Sequence, residues 1–280
     1  MKKTLLAIFF CLFAATVSAQ KKIEILHTND AHSCIFPLSK NLADTLIAGR
    51  GGFIRRVAAV REERRNNPDL LLFDSGDFSQ GSAFYTAYKG DVEIGLMNMM
   101  GYDAATIGNH EFDFGLENMA RIFRKAQFPI VCANYDFTGT PVEGLVKPYV
   151  VLRRKGLRIG VFGICPQMLG LVDERKCVGV KYLDPVATAD SIASLLRKRE
   201  KCDLVICLSH LGWGLLQNVD DEDMIAANHD IDLVLGGHSH TYFTTLRHVT
   251  NADGRAIGDD QNGKHAVFVG RMFLDMKKRR

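Results

Sequence analysis

The chain is 280 residues long, 47% apolar and 24% charged, a balance that supplies a sizeable core and excludes a disordered chain. Its formal charge of +3 falls to +1 without Lys2 and Lys3 of the leader described next, so no broad basic character argues for nucleic acid.

In chain order, Lys2 and Lys3 precede an uncharged, mostly apolar run from Leu5 to Val17 that ends in Ser18-Ala19-Gln20. That pattern reads as a secretory signal peptide over 1–19, cleaved after Ala19, and predicts an exported protein, periplasmic or extracellular. Cys11 lies inside the apolar run rather than after a cleavage site, which favours cleavage over lipid attachment; an uncleaved, tethered form is the alternative. No later segment has the roughly 20 uncharged apolar residues of a bilayer span, so none is expected after signal cleavage. Residues 20–280 contain no repeat, low-complexity tract or evident linker and are expected to form one domain.

Apolar runs rich in β-branched residues or leucine, bounded by Gly, Asp or Asn, predict strands at 23–27, 70–73, 104–107, 130–133, 158–163, 204–208, 233–235 and 266–269. Helical spacing with charged outer faces lies at 53–66, 92–100, 116–126, 187–201 and 221–228. Asp184 followed by Pro185 has the form of a cap and an early helical proline. Segments 134–150 and 166–184 read as turn-rich connections, 211–220 as a loop at the mouth of a site, and 251–264 as a polar excursion before a last strand. Strands and helices alternate, which predicts a layered α/β fold. Cys34, Cys132, Cys165, Cys177, Cys202 and Cys207 form no Cys-x-x-Cys pair and read as mostly free structural thiols, with one disulfide left open.

Five strands end in residues of one chemistry. Asp30 and His32 follow the first, Asp74-Ser75-Gly76-Asp77 the second, Gly108-Asn109-His110-Glu111 the third, Ser209-His210 the sixth, and Gly236-Gly237-His238-Ser239-His240 the seventh. Ligands bind at the carboxyl ends of strands in open α/β sheets, so these clusters are expected to meet in one cleft. Alternate residues of an extended segment share a face, which pairs Asp30 with His32 and His238 with His240; Gly236 and Gly237 allow a tight backbone. Imidazole, carboxylate and amide donors without thiolate suit zinc, manganese, iron or a similar cation. One Asp-x-His alone is ordinarily a turn; the five strand ends together point to a metal site. His27 shares parity with Ile23 and Ile25 and reads as a satisfied core histidine, Asp74 and Glu111 as supports, and His229, His248 and His265 as surface residues. Ser75 and Ser79 are left without a role, and Trp213 with either a packing or a pocket-lining one.

Thr28-Asn29-Asp30-Ala31-His32, Gly76-Asp77-x-x-Gln80-Gly81, Gly108-Asn109-His110-Glu111-Phe112-Asp113, His210 and Gly237-His238-Ser239-His240 resemble, in order, the motifs of the calcineurin-like metallophosphoesterases. The Asn-His-Glu-Phe-Asp form resembles the 5'-nucleotidase branch. The resemblance spans essentially the whole chain after the leader. It implies a four-layer α/β/β/α sandwich with its active site at the carboxyl ends of the strands, and two divalent metal ions, zinc or manganese first, with iron or cobalt as alternatives. It further implies that Asp30, His32, Asp77 and His240 hold the first metal and that Asp77, Asn109, His210 and His238 hold the second. Asp77 would bridge, His110 would stand near the leaving group with Asp113 orienting its ring, and Asn109 and His110 would touch the phosphate. Two cations about 3.5–4 Å apart clamp the attacking and leaving oxygens and activate a water as hydroxide; a protonated His110 adds to the stabilisation of charge.

Exported 5'-nucleotidases of this family usually carry a second, C-terminal domain that recognises the nucleobase, and this sequence shows none. The expected activity is thus hydrolysis of a nucleotide or other phosphate monoester, with nucleotide selectivity left to a separately encoded domain, an oligomer contact or a loop such as 211–220. A 2',3'-cyclic-nucleotide phosphodiesterase with 3'-nucleotidase activity shares the Asn-His-Glu motif and stays open. So does a non-catalytic metal-binding subunit of a two-chain nucleotide receptor, although binding alone does not require His110 and Asp113. No nucleic-acid polymer is expected as partner.

Overall fold

The computed structural model describes residues 21–276; the expected signal peptide and the basic end at 277–280 lie outside the described residues. The strands are β1 (Lys21–Thr28), β2 (Leu71–Asp74), β3 (Ala104–Ala105), β4 (Ile130–Val131), β5 (Tyr135–Asp136), β6 (Val146–Lys147), β7 (Tyr149–Arg154), β8 (Leu157–Ile164), β9 (Lys181–Tyr182), β10 (Leu204–Ser209), β11 (Leu233–Leu235), β12 (Arg247–Thr250), β13 (Ala256–Asp260) and β14 (Gly270–Met276). The helices are α1 (Phe53–Asn66), α2 (Ala83–Tyr88), α3 (Asp91–Met100), α4 (Gly115–Phe123), α5 (Pro185–Lys198) and α6 (Asp221–Ala226).

Two six-stranded sheets result. The first runs β14-β1-β2-β3-β4-β6, parallel except for the edge strand β14. The second runs β12-β13-β11-β10-β8-β7, with a parallel centre and antiparallel edges at β12 and β7. Side-chain alternation sorts the core into three layers. Between the sheets, Ile23, Ile25, Leu71 and Phe73 pack with Ile159, Val161, Leu204, Ile206, Leu208 and Leu235. On the outer face of the first sheet, Leu26, Leu72, Ala105 and Ile130 pack with Phe53 and Val57 of α1, Met97 of α3 and Met119 of α4. On the outer face of the second, Phe162, Val205, Cys207 and Val234 pack with Ala189, Ala193 and Leu196 of α5 and Met224 and Ile225 of α6. The order of layers is therefore α/β/β/α, as expected. Each fully buried Phe or Leu contributes about 1.5–3 kcal/mol to that packing.

Local chemistry sets the helix ends. Asp184 accepts the Ala187 N–H at 2.7 Å ahead of Pro185, and Asp220 forms a capping box with Asp223 at the start of α6. Arg64 and Arg65 close α1, where positive charge favours the carbonyl end of the helix dipole.

The elements that differ from expectation are mostly edges. The strand expected at 266–269 is a turn and irregular backbone, with Ala266 at φ 57°, and the last strand is β14, whose side chains alternate between buried or half-buried and exposed. β13 lies inside the segment read as a polar excursion, because its aspartates mask a buried Ile257. β7 and β12 are edge strands without a buried face of continuous apolar residues, and α2 is only six residues long. Among the described residues the six cysteines are free thiols, and no helix is long and apolar enough to cross a membrane.

Candidate metal centre

The loops that leave the carboxyl ends of β1, β2, β3, β10 and β11 bring the expected residues together where the two sheets meet. Asp30, His32, Asp77, Asn109 and His210 are buried, and His110, His238 and His240 are half-buried. The backbone that carries them is not extended: Asp30 (φ 45°), His32 (φ 44°), Asp77 (φ 53°), His238 (φ 71°) and His240 (φ 57°) are all left-handed. The pairing of Asp30 with His32 and of His238 with His240 by strand alternation is thereby corrected, since left-handed turns achieve it. Such a conformation costs about 1–2 kcal/mol per non-glycine residue and persists where surrounding contacts fix it. Here Asp30 donates its N–H to the Gly76 carbonyl and His32 to the Asp77 carbonyl, both at 3.0 Å.

Glu111 ties two of the loops together. Its carboxylate accepts the N–H groups of Gly108 at 2.6 Å and of Asp77 and Ser79 at 3.1 Å. Asp74 accepts the Thr28 hydroxyl at 2.6 Å and the Gly76 N–H at 3.0 Å, so both acids act as the expected supports. Gly108 is required by space, because a β-carbon there would stand 2.1 Å from Asp77 Oδ1 and 2.6 Å from His210 Nε2. At Gly237 a β-carbon would meet His210 Nδ1 at 3.0 Å and Asp30 Oδ2 at 3.1 Å; close approach, not an unusual backbone angle, explains that glycine.

Three groupings of ligand atoms each lie within 4.8 Å: Asp30, His32 and His240; His32, Asp77 and His110; Asp77, His210 and His238. The first and third fall within the two expected ligand sets. Asp77 Oδ2 stands 3.1 Å from His210 Nε2, while Asp77 Oδ1 accepts the His110 N–H at 2.9 Å. His210 Nδ1 donates to the Ser75 carbonyl at 2.6 Å, which leaves Nε2 as the lone-pair nitrogen toward the cluster. His210 Nε2 and Asn109 Oδ1 are buried without a hydrogen-bond partner. Orphaned acceptors beside two buried carboxylates fit divalent cations, and a donor set of oxygen and imidazole nitrogen suits the borderline ones.

Electrostatics agree with that fit. Burial holds His32 near 3, and His238 and His240 near 4, so all three imidazoles are neutral donors at neutral pH. Burial pushes Asp30 up to about 7, with Asp77 adding to the effect. Burial also works to raise Asp77, but His210, His110 and His32 outweigh it and hold that carboxyl below the usual carboxylate range. At His210 burial opposes protonation, yet with no ion beside them Asp77 and Asp30 raise the imidazole to about 10; Nε2 offers its lone pair only where a cation would take the place of that proton.

His110 Nδ1 lies 3.2 Å from Asp113 Oδ2. Partial burial disfavours its proton, but Asp113 and Asp77 outweigh that and raise the imidazole's proton affinity. The Tyr85 hydroxyl donates to the His110 carbonyl at 3.2 Å. His27 is the satisfied core histidine expected, with Asp260 Oδ2 and Asn262 Nδ2 each 3.0 Å from its ring nitrogens. Ser75 donates to the Leu235 carbonyl, and Trp213 packs edge-on against Phe243. His229 and His248 are exposed. His265 is not the surface residue expected: it is half-buried, donates its N–H to the Asp30 carbonyl at 2.8 Å, and sets its ring 6.0 Å from that of His32. It belongs to no motif, so the sequence carried no signal for it. Asn29, also missed, donates to Asp30 Oδ2 at 2.6 Å and to the Gly263 carbonyl at 2.8 Å. The 211–220 loop does border a cavity of about 490 Å³ that reaches His238.

The family model for calcineurin-like phosphoesterases matches residues 23–242, and the chain belongs to that family. The 5'-nucleotidase of Bos taurus is 31% identical over 277 residues, covering 92% of this chain and 47% of the relative. A 5'-nucleotidase precursor from Thermus thermophilus superposes with a TM-score of 0.81 at 27% identity, over 91% of this chain and 53% of that one. The calcineurin-like phosphoesterase YfkN from Bacillus subtilis gives 0.74 at 25% identity, over 93% and 86%. The chain spans about half the length of the curated 5'-nucleotidases it matches.

Proposed function

We propose that the chain is an exported metal-dependent phosphomonoesterase of the 5'-nucleotidase type, with residues 20–280 as one catalytic domain behind a cleaved 1–19 leader. The observation that carries this reading is the position of Asp77, whose two carboxylate oxygens face His210 and the His110 backbone and which belongs to two of the three ligand groupings. Asp30, His32, Asp77 and His240 would hold one cation; Asp77, Asn109, His210 and His238 would hold the other. Zinc or manganese fits best, with iron or cobalt as alternatives. When bound, the pair supplies Lewis acidity to the phosphoryl oxygens and acidifies a water.

The remaining work falls to the chain. Asn109 and His110 bind the phosphate. Asp113 accepts the His110 Nδ1–H and turns Nε2 toward the leaving oxygen, to which the imidazolium gives its proton. The similarity to 5'-nucleotidases supports a nucleoside 5'-monophosphate as substrate. The test is phosphate release from AMP, an aryl phosphate and 2',3'-cyclic AMP by metal-loaded protein. AMP is expected to be hydrolysed fastest; turnover of none of the three refutes the proposal, and preference for the cyclic ester reassigns the substrate.

A further inference from the structure

His27 is fully buried on β1, and its ring reaches across to β13 of the second sheet. The fold makes space for that ring. Gly270 stands opposite it in the β1–β14 register, and a β-carbon there would come within 2.0 Å of His27 Nε2. A side chain that only filled the core would not need that gap, and a buried imidazole is costly unless its nitrogens are bonded. Asn262 Nδ2 lies 3.1 Å from the His27 carbonyl, which can only accept, so Nδ2 is the donor end of that amide; it also lies 3.0 Å from His27 Nδ1. Nδ1 therefore accepts, and the ring proton sits on Nε2, which donates to Asp260 Oδ2 at 3.0 Å.

The bond at Nδ1 continues toward the metal ligands. The Asn262 N–H donates to Asn29 Oδ1 at 2.9 Å, and Asn29 Nδ2 donates to Asp30 Oδ2 at 2.6 Å. Asp30 Oδ2 also takes the His238 N–H at 2.9 Å, while Oδ1, which shares that N–H at 3.2 Å, faces His32 at 3.8 Å and His240 at 3.6 Å. The same segment is tied to the chain beyond His240: Asn262 forms an antiparallel bridge with Tyr242, and the Gly263 N–H donates to the Thr241 carbonyl at 2.8 Å. The bonds that start at His27 thus end on Asp30 and beside His240, two members of one ligand grouping. We propose that His27 is a positioning residue for the first metal, acting through Asn262 and Asn29 to fix Asp30 and the turn that carries His240. This role rests on the metal-centre reading above.

Two substitutions separate the two bonds of the ring. His27→Asn puts an amide oxygen where Nδ1 stands and keeps the acceptor for Asn262, whereas His27→Gln reaches the Nε2 position and keeps the donor to Asp260. Zinc binding to the full chain is followed by calorimetric titration, beside the Tm of the metal-free protein, which reports lost core packing in either variant. His27→Gln is expected to bind one zinc equivalent roughly tenfold more weakly, as when a group that orients a ligand is removed, and His27→Asn to keep both affinities. Asn262→Ala breaks the same chain without touching the ring; it is expected to show the same loss, and adding His27→Gln to it lowers affinity no further. Unchanged affinity in His27→Gln overturns the role, as do equal losses in His27→Gln and His27→Asn or additive losses in the double variant. Should His27→Gln not fold, weaker zinc binding by Asn262→Ala but not by His27→Asn supports the role, and any other pattern overturns it. Unaltered protein that binds no zinc overturns the metal centre and this role with it.

Discussion

His32 Nε2 and His240 Nε2 stand 2.9 Å apart, and burial keeps both rings neutral at neutral pH. Two neutral imidazoles at that distance share either a proton or a cation, and Asp30 Oδ1, 3.8 Å from His32 and 3.6 Å from His240, supplies the negative charge that favours a cation. His240→Ala is therefore expected to lower zinc binding from two equivalents to about one in a calorimetric titration. Two equivalents retained would remove His240 from the ligand set.

Glu111 holds three backbone N–H groups on the loops that present Asp77 and Asn109. Glu111→Gln puts an amide N–H against one or more of those donors and loosens both loops. Metal affinity is expected to fall roughly 10–100-fold, the usual consequence of removing a group that orients ligands. Equal affinity in competition with a chelator would mean that the loops hold their shape without it.

Gly108→Ala places a methyl group against Asp77 Oδ1 and His210 Nε2. Both are on buried loops fixed by their hydrogen bonds, so the ligands move apart rather than the methyl. The variant is expected to keep its far-UV circular dichroism and to lose metal and activity; full metal content would show that the loops relax around the methyl.

Asp259 is buried with neither carboxylate oxygen hydrogen-bonded to a side chain, and Asp221 Oδ1 is likewise unpartnered. Burial, and then Asp221, push Asp259 well above the ordinary carboxylate value, and burial lifts Asp221 to about 7. The native state thus binds protons more tightly than the unfolded chain, so the stability these two acids contribute is full below about pH 4 and is lost as pH rises toward 7. Asp259→Asn, neutral at every pH, is expected to raise Tm at pH 8 by about 2–4 °C per kcal/mol recovered, with the difference shrinking by pH 4. A gain of the same size at both pH values would contradict this origin.

The parts legible in the sequence are those whose signal is local. α1 has the bounds its helical spacing predicts, and β1, β2 and β10 are the apolar runs they appear as because both faces of each are covered. The candidate metal-site residues were legible as polar groups placed just after those runs. Edge strands β7, β12 and β14 were not, since a half-exposed strand needs no continuous apolar run. The left-handed turns at Asp30, His32, His238 and His240 were hidden too, because only contacts made after folding hold those angles. His265 reaches the site through a loop that no motif marks.

In the proposed centre Asp77 is shared by two metals while His110 acts on the substrate. Metal content by elemental analysis, measured beside hydrolysis, tests it most directly on Asp77→Asn and His110→Asn proteins. The Asp77 variant is expected to lose metal from both sites, and the His110 variant to keep about two equivalents with kcat lowered roughly 10²–10⁴-fold. An Asp77→Asn protein that still carries two equivalents contradicts the sharing of Asp77 by two metals.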